Sequence, residues 1–137
     1  VKEKLHELHL DDLKIYAKIE NMDGVMHLED IIPHCDCIVI ARGDLGMHCG
    51  LKKLPLVQQY IERICHQHNH PYMIVTEMLN SMIDHPTPTR AEVNDVFMAV
   101  NNGASAIMLT GETAKGKYPL KAMEYFTDIA KSAMRKD

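Results

Sequence analysis

Short apolar runs alternate with amphipathic segments along this chain, and each run breaks off into polar residues able to do chemistry. The runs are Leu13 to Ile19, Cys37 to Ala41, Pro71 to Thr76 and Ala104 to Leu109. They are rich in Ile and Val and lack the polar alternation of a half-exposed strand, which suits parallel strands buried on both faces. Where they break off stand Lys18 and Glu20, Arg42-Gly43-Asp44, Thr76-Glu77, and Thr110-Gly111-Glu112.

The intervening segments carry helical spacing. Val25, Leu28 and Ile31 fall three apart and Pro33 closes that short segment. Leu54, Val57, Ile61, Ile64 and Cys65 predict an amphipathic helix from about Leu51 to His68, with Pro55 in its first turn. Thr89 followed by Glu92 is a capping box ahead of Val96, Phe97 and Val100, and Asn102-Gly103 is the natural stop. A last helix starts near Pro119, with Leu120, Met123, Phe126 and Ala130 as its expected buried stripe, and Lys2 to Leu8 reads as the tail of a helix. The order is one helix and then four consecutive βα units, an α/β fold. Parallel strands each followed by a helix bring all four polar clusters to one end of the sheet, where β/α barrels place their active sites.

Composition removes alternatives. The 137 residues are 46% hydrophobic and 25% charged, with a net charge of -4 and no low-complexity tract, so nucleic acid is not an expected partner. No apolar run approaches a membrane span and no leader pattern precedes the first helix, so no membrane contact and a cytoplasmic location are expected. Cys35, Cys37, Cys49 and Cys65 lack the spacing of a disulfide framework or a zinc ribbon and are expected as reduced thiols. His66, His68 and His70 alternate, yet they sit at the end of the long helix, on the face opposite the polar clusters. A surface turn is expected there rather than a metal site.

The clusters themselves can be read chemically. Lys18 and Glu20, two apart on a strand, point to the same face and must either satisfy each other or serve a function. Glu20 and Asp44 from adjacent strands offer oxygen ligands suited to magnesium or manganese. Gly43-Asp44-Leu45-Gly46 exposes backbone N–H groups at a tight turn or short helix start, which bind carboxylates or phosphates. Thr76 adds a hydroxyl or merely ends a strand. Thr110 either caps a turn or supplies a second hydroxyl, and Lys115 either reaches a phosphate or is a solvated lysine.

Together these residues resemble pyruvate kinase. The matching pieces are Lys18-Ile19-Glu20-Asn21 with Gly24-Val25, Ala41-Arg42-Gly43-Asp44-Leu45-Gly46, Thr76 with Met78-Leu79 and Ser81-Met82, Pro86-Thr87-Pro88-Thr89-Arg90-Ala91-Glu92, and Met108-Leu109-Thr110-Gly111-Glu112-Thr113-Ala114-Lys115-Gly116. The resemblance implies a partial TIM barrel covering residues 1–137, with the βα units matching strands five to eight of a (βα)8 barrel. It implies transfer of phosphate from phosphoenolpyruvate to ADP, giving pyruvate and ATP in glycolysis. Glu20 and Asp44 would then hold Mg2+ or Mn2+. Lys18 would stabilise the phosphoryl group in flight and the enolate left behind. Gly43, Asp44 and Thr76 would cradle the substrate carboxylate. Thr110, where the family usually has Ser, would help relay a proton, Lys115 would touch the nucleotide, and Arg42 would support the site without contacting substrate.

Some residues depart from the family pattern. Glu77 replaces a Gln or Asn, Asn80 replaces an acidic residue, and Met47-His48-Cys49-Gly50 stands where an acidic residue and a proline are usual. The segments that the resemblance assigns to K+ and to most of the nucleotide pocket are not in this sequence, nor are the capping and C-terminal effector domains. The chain is therefore expected to be a piece of a homo-oligomeric parent, inactive and self-associating by itself. Two other readings accompany this one: a half-barrel interaction module or inactive paralogue, and a metal-dependent aldolase or lyase barrel acting on pyruvate enolates, for which Lys18 would not be required.

Overall fold

The computed structural model describes residues 1–135. Four strands, β1 (Tyr16–Ile19), β2 (Cys37–Ala41), β3 (Tyr72–Val75) and β4 (Ala106–Met108), form one parallel sheet in the order of the sequence. Each apolar run thus supplies a strand, shorter at its ends than the run itself except in β2. The register sets Lys18 beside Val39, Val39 beside Met73, and Met73 beside Ala106, so these residues share one face. That face carries a small cluster of Val39, Ala41 and Val75 with Met73 against it. The opposite face, with Ile19, Ile38, Ile40, Tyr72 and Ile74, belongs to the main core and is covered by helices.

Helix α1 (Lys2–Glu7) buries none of its residues. After β1 come α2 (Met22–Met26) and α3 (Leu28–Ile31), then a 3-10 turn at Ile32–His34 that contains Pro33. Asn21 starts this segment by accepting the Gly24 amide at 2.9 Å. Helix α4 (Arg42–Cys49) follows β2 directly and α5 (Leu54–Gln67) follows it. The expected start of α5 at Leu51 is corrected to Leu54, because Gly50 takes φ 81° and its carbonyl accepts the amides of Lys53 and Leu54 in an intervening turn. Ile61, Ile64 and Cys65 are buried as their spacing predicts.

Helix α6 (Arg90–Asn101) begins with the full capping box, Thr89 Oγ1 accepting the Glu92 amide and Glu92 accepting the Thr89 amide. It stops at Asn102, and Gly103 turns the chain with φ 94°. No larger residue fits at Gly103, since a Cβ would lie 2.8 Å from the His66 ring. Helices α7 (Gly111–Ala114) and α8 (Pro119–Met134) complete the chain.

The expected stripe on α8 needs correction. Phe126 is buried, but Leu120 is 79% and Met123 45% exposed, and Ala122 and Ile129 take the buried positions. The helix is rotated so that Ala122, Phe126 and Ile129, spaced four and three apart, form the face that meets the core. Burial on both faces also fails for the outer strands. Tyr16 on β1 and Met108 on β4 are exposed because, among the described residues, no further strand pairs beyond them, whereas β2 is buried throughout.

The cysteine and histidine motifs are structural. The cysteines are free thiols, and burial pushes Cys65 up to about 12. Asp36 accepts the Ile15 amide at 2.7 Å, tying the entry of β1 to that of β2. The three histidines diverge: His66 Nε2 lies 2.8 Å from the Asn102 carbonyl, His68 lies beside Glu29, and His70 lies beside the Cys35 thiol. Among the described residues no three or more His, Cys, Asp and Glu side chains gather in a way that could hold a metal.

Candidate active site

The polar clusters all sit at the C-terminal ends of the strands. At the end of β1, Lys18 and Glu20 project to the same face and form an ion pair, Nζ to Oε1 2.5 Å, with 59% and 39% of their side chains exposed. The Lys18 pKa is raised, first by its hydrogen bond to Glu20, then by that carboxylate's charge, with Asp44 adding a smaller part. These three groups therefore share one electrostatic environment, although they arrive from two strands.

Asp44 lies in the first turn of α4, which is a full two-turn helix where the sequence indicated only a turn or helix start. Its glycines have a packing reason at Gly43: a Cβ there would lie 2.9 Å from Thr76 Cγ2. The Gly43 backbone and the Thr76 side chain are thus in direct apposition. Thr76 has φ 80° and Glu77 φ 54°, left-handed values that a β-branched residue rarely adopts. Such a residue stores on the order of 1–3 kcal/mol unless its surroundings enforce it.

Arg42 supplies that enforcement. Its side chain is only 12% exposed, and its Nε and Nη2 donate to the Thr76 carbonyl at 3.3 and 2.8 Å. Arg42 thus supports the site from behind. Gly43, Asp44, Thr76 and Glu77 line a cleft of about 710 Å3 together with Arg42 and Met47. Lys18, Glu20, Thr110 and Lys115 lie outside that lining, so the described residues form the cleft from the two middle strands and leave the outer clusters at its flanks.

On the far flank the loops are bound by two carboxylates, one buried and one half-buried. Glu112, 1% exposed, accepts the Leu79 amide at 3.0 Å and the Thr110 amide at 2.9 Å, so it joins the loop after β3 to the loop after β4. The Thr110 hydroxyl makes only a long 3.4 Å contact to the same carboxylate and does not cap α7. Glu92 accepts the amide and hydroxyl of Ser81 at 2.7 and 2.6 Å besides the cap bonds to Thr89. Burial would raise the Glu92 pKa, but the bonds from Ser81 and Thr89 outweigh it and the pKa is lowered. Lys115 is exposed, its stem 3.3 Å from where a Cβ on Gly111 would sit, and its charge helps lower the Asp84 pKa behind the larger effect of Lys117.

The sequence alone did not single out Asp95, whose carboxylate holds the outer edge of Arg42, or the burial of Glu112. Asp95 has no local signal, being one acidic residue in an amphipathic helix.

Comparison with known proteins decides the family. The family model for the pyruvate kinase barrel domain matches residues 1–123. The chain belongs to the pyruvate kinase family. It is 49% identical over 119 residues to the chloroplastic pyruvate kinase isozyme G of Ricinus communis, covering 87% of this chain and 28% of that protein. It is 43% identical over 136 residues to the pyruvate kinase of Aeropyrum pernix, covering 99% of this chain and 30% of that one. The crystal structure of a pyruvate kinase from Cryptosporidium parvum superposes with a TM-score of 0.84 at 40% identity, over 88% of this chain and 24% of that chain. The chain thus spans less than a third of the length of these pyruvate kinases. No helix among the described residues is long and apolar enough to cross a membrane.

A divalent cation suits the donors present. Glu20 and Asp44 offer carboxylate oxygens, and both lie close enough to Lys18 to raise its pKa. Two carboxylates fit magnesium or manganese, which take one or two protein carboxylates and complete their shell with water and substrate oxygens.

Proposed function

We propose that this chain is strands five to eight of a pyruvate kinase barrel and carries part of the machinery that moves a phosphoryl group from phosphoenolpyruvate to ADP. The observation that carries this reading is the juxtaposition at one sheet end of the Lys18–Glu20 pair, Asp44, and the Gly43–Thr76 apposition. It would supply a cation, two hard-metal ligands and an anion cradle at one end of the sheet.

Magnesium or manganese held by Glu20 and Asp44 would supply positive charge to the substrate oxygens. The amides of Gly43 and Asp44 and the Thr76 hydroxyl hold the three-carbon substrate's carboxylate. Lys18, kept protonated by its acidic neighbours, places its ammonium where negative charge passes between phosphoryl group and enolate, and its value is greatest in the transition state. Thr110 relays a proton toward the enolate carbon as pyruvate forms. Lys115 faces the nucleotide phosphates. The remaining nucleotide contacts, and the residues that hold K+, belong to segments of the parent outside this chain. The parent works as a cytoplasmic homo-oligomer, and this piece alone, with the outer edges of β1 and β4 unpaired among the described residues, is inactive and self-associates.

The test uses the intact parent in an assay linked to pyruvate formation. Glu20→Gln and Asp44→Asn each remove an anionic donor, and both should raise half-saturating magnesium about 10-fold or more while lowering turnover. The isolated chain run beside them should show no turnover and sediment as more than a monomer. Unchanged half-saturation in both variants sinks the ligand assignment, and an active monomer sinks the fragment reading.

A further inference from the structure

We propose that Asp95 is a positioning residue for the substrate carboxylate, acting through Arg42 on Thr76. The inference rests on the reading that Gly43 and Thr76 cradle that carboxylate, and it names what keeps the cradle in shape.

The arrangement is a relay across three elements. Asp95 on α6 takes Arg42 Nη1 at 2.8 Å with each of its carboxylate oxygens. The opposite edge of the guanidinium donates twice to the Thr76 carbonyl, and Nη2 also lies 3.1 Å from Met78 Sδ. A planar fork held on one edge by an anion has little freedom on the other. The Thr76 carbonyl is thereby fixed while Thr76 and Glu77 occupy left-handed backbone conformations. Released, Thr76 would relax toward extended backbone and carry its hydroxyl away from Gly43.

Among the described residues, Asp95 is the acidic group bonded to Arg42. Glu62 lines the same small cavity behind Arg42, but its oxygens are engaged by Gln58 at 2.8 Å and Asn102 at 3.4 Å. A largely buried guanidinium that loses Asp95 loses the anion that fixes one of its edges and reorients. Asp95 itself lies on a helix whose start is pinned by the Thr89–Glu92 box, so it presents a fixed anchor.

The experiment measures steady-state kinetics in the intact parent for Asp95→Asn, Asp95→Glu and Thr76→Ala, with phosphoenolpyruvate and ADP varied separately. Asp95→Asn should raise KM for phosphoenolpyruvate about 10-fold or more and leave KM for ADP within about twofold, since small misplacement of a binding group has large effects. Asp95→Glu, which keeps the charge, should lie between Asn and wild type. Thr76→Ala should raise the same KM. If Thr76→Ala does so and Asp95→Asn does not, the relay is overturned and the cradle stands. Neither variant raising it overturns the cradle itself. A fall in kcat with both KM values unchanged, tracking a lower melting temperature, reveals a structural role and overturns the proposal. An effect of Asp95→Asn without one of Thr76→Ala overturns the route through Thr76.

Discussion

The two flanks of the site are built in opposite ways. At the β1 end, Lys18 and Glu20 are solvent-facing and have only each other and the nearby charge of Asp44. On the other flank, Glu92 and Glu112 are tied into backbone amides, and Glu112 is almost wholly buried. The first flank holds charges that are free to exchange partners. The second holds loops that must not move. An exposed ion pair contributes little to stability, so Lys18 and Glu20 add little to holding the fold together. A buried carboxylate bonded to amides is the reverse case, because removing it orphans donors that have no water to turn to.

Three substitutions in the intact parent sharpen that contrast. The largest effect is expected at Lys18. Lys18→Met should lower turnover by about 10² to 10³, the scale for losing one preorganised charge donor, with little change in melting temperature. Near-normal phosphoryl transfer would make the pair a mere surface salt bridge and dissolve the contrast. Enolisation, followed by solvent exchange of the pyruvate methyl protons, can survive because it is a separate step.

Glu112→Gln should do the opposite. The amide nitrogen cannot accept from either Leu79 or Thr110, so one buried donor loses its partner at a cost of about 1–3 kcal/mol. Calorimetry should show the melting temperature fall by several degrees, with turnover affected far less than in Lys18→Met. A variant as stable as wild type would show that Glu112 does not hold the loops together.

The smallest effect is expected at the α6 cap. Thr89→Ala removes a cap and should cost about 1 kcal/mol, read from denaturant unfolding. Its pH dependence follows from Glu92, whose folded pKa is lowered. The unfolded state binds the Glu92 proton more readily, so the stability it contributes is present above the ordinary glutamate range and is lost as pH falls through the folded value. Thr89→Ala should flatten that acid dependence without abolishing it, because the bonds from Ser81 remain. An unaltered acid profile would assign the shift to Ser81 and the residue 89 amide rather than to the Thr89 hydroxyl.

The strands, their order and the sheet end where the polar clusters gather were legible because each depends on local signals. A parallel strand buried among helices leaves a short Ile- and Val-rich run, and a polar residue ends it. The Thr89–Glu92 box was equally plain. Contacts across the fold left no such trace. Arg42 and Asp95 meet because α6 packs beside the start of α4, and Glu112 is buried because the loops after β3 and β4 converge. Helix α4 was underread because Gly43 and Gly46 lower helix propensity, and Gly43 is small for the sake of Thr76. On α8 the sequence pattern favoured Leu120 and Met123 over Ala122, since periodicity weighs apolar bulk.

The sequential strand order has a consequence for how the sheet comes into being. Tyr16 pairs with Cys37, Ile38 with Tyr72, and Met73 with Ala106, so each strand finds its neighbour by closing a single helical crossover. Loop-closure entropy grows only slowly with length, and no pairing here spans more than one such unit. The sheet can grow strand by strand in the order of synthesis, each addition offering the next a complete edge. The polar clusters assemble on the same schedule: Lys18 and Glu20 come first, the Gly43–Thr76 contact exists only once the third strand has docked, and the Glu112 tie is made last.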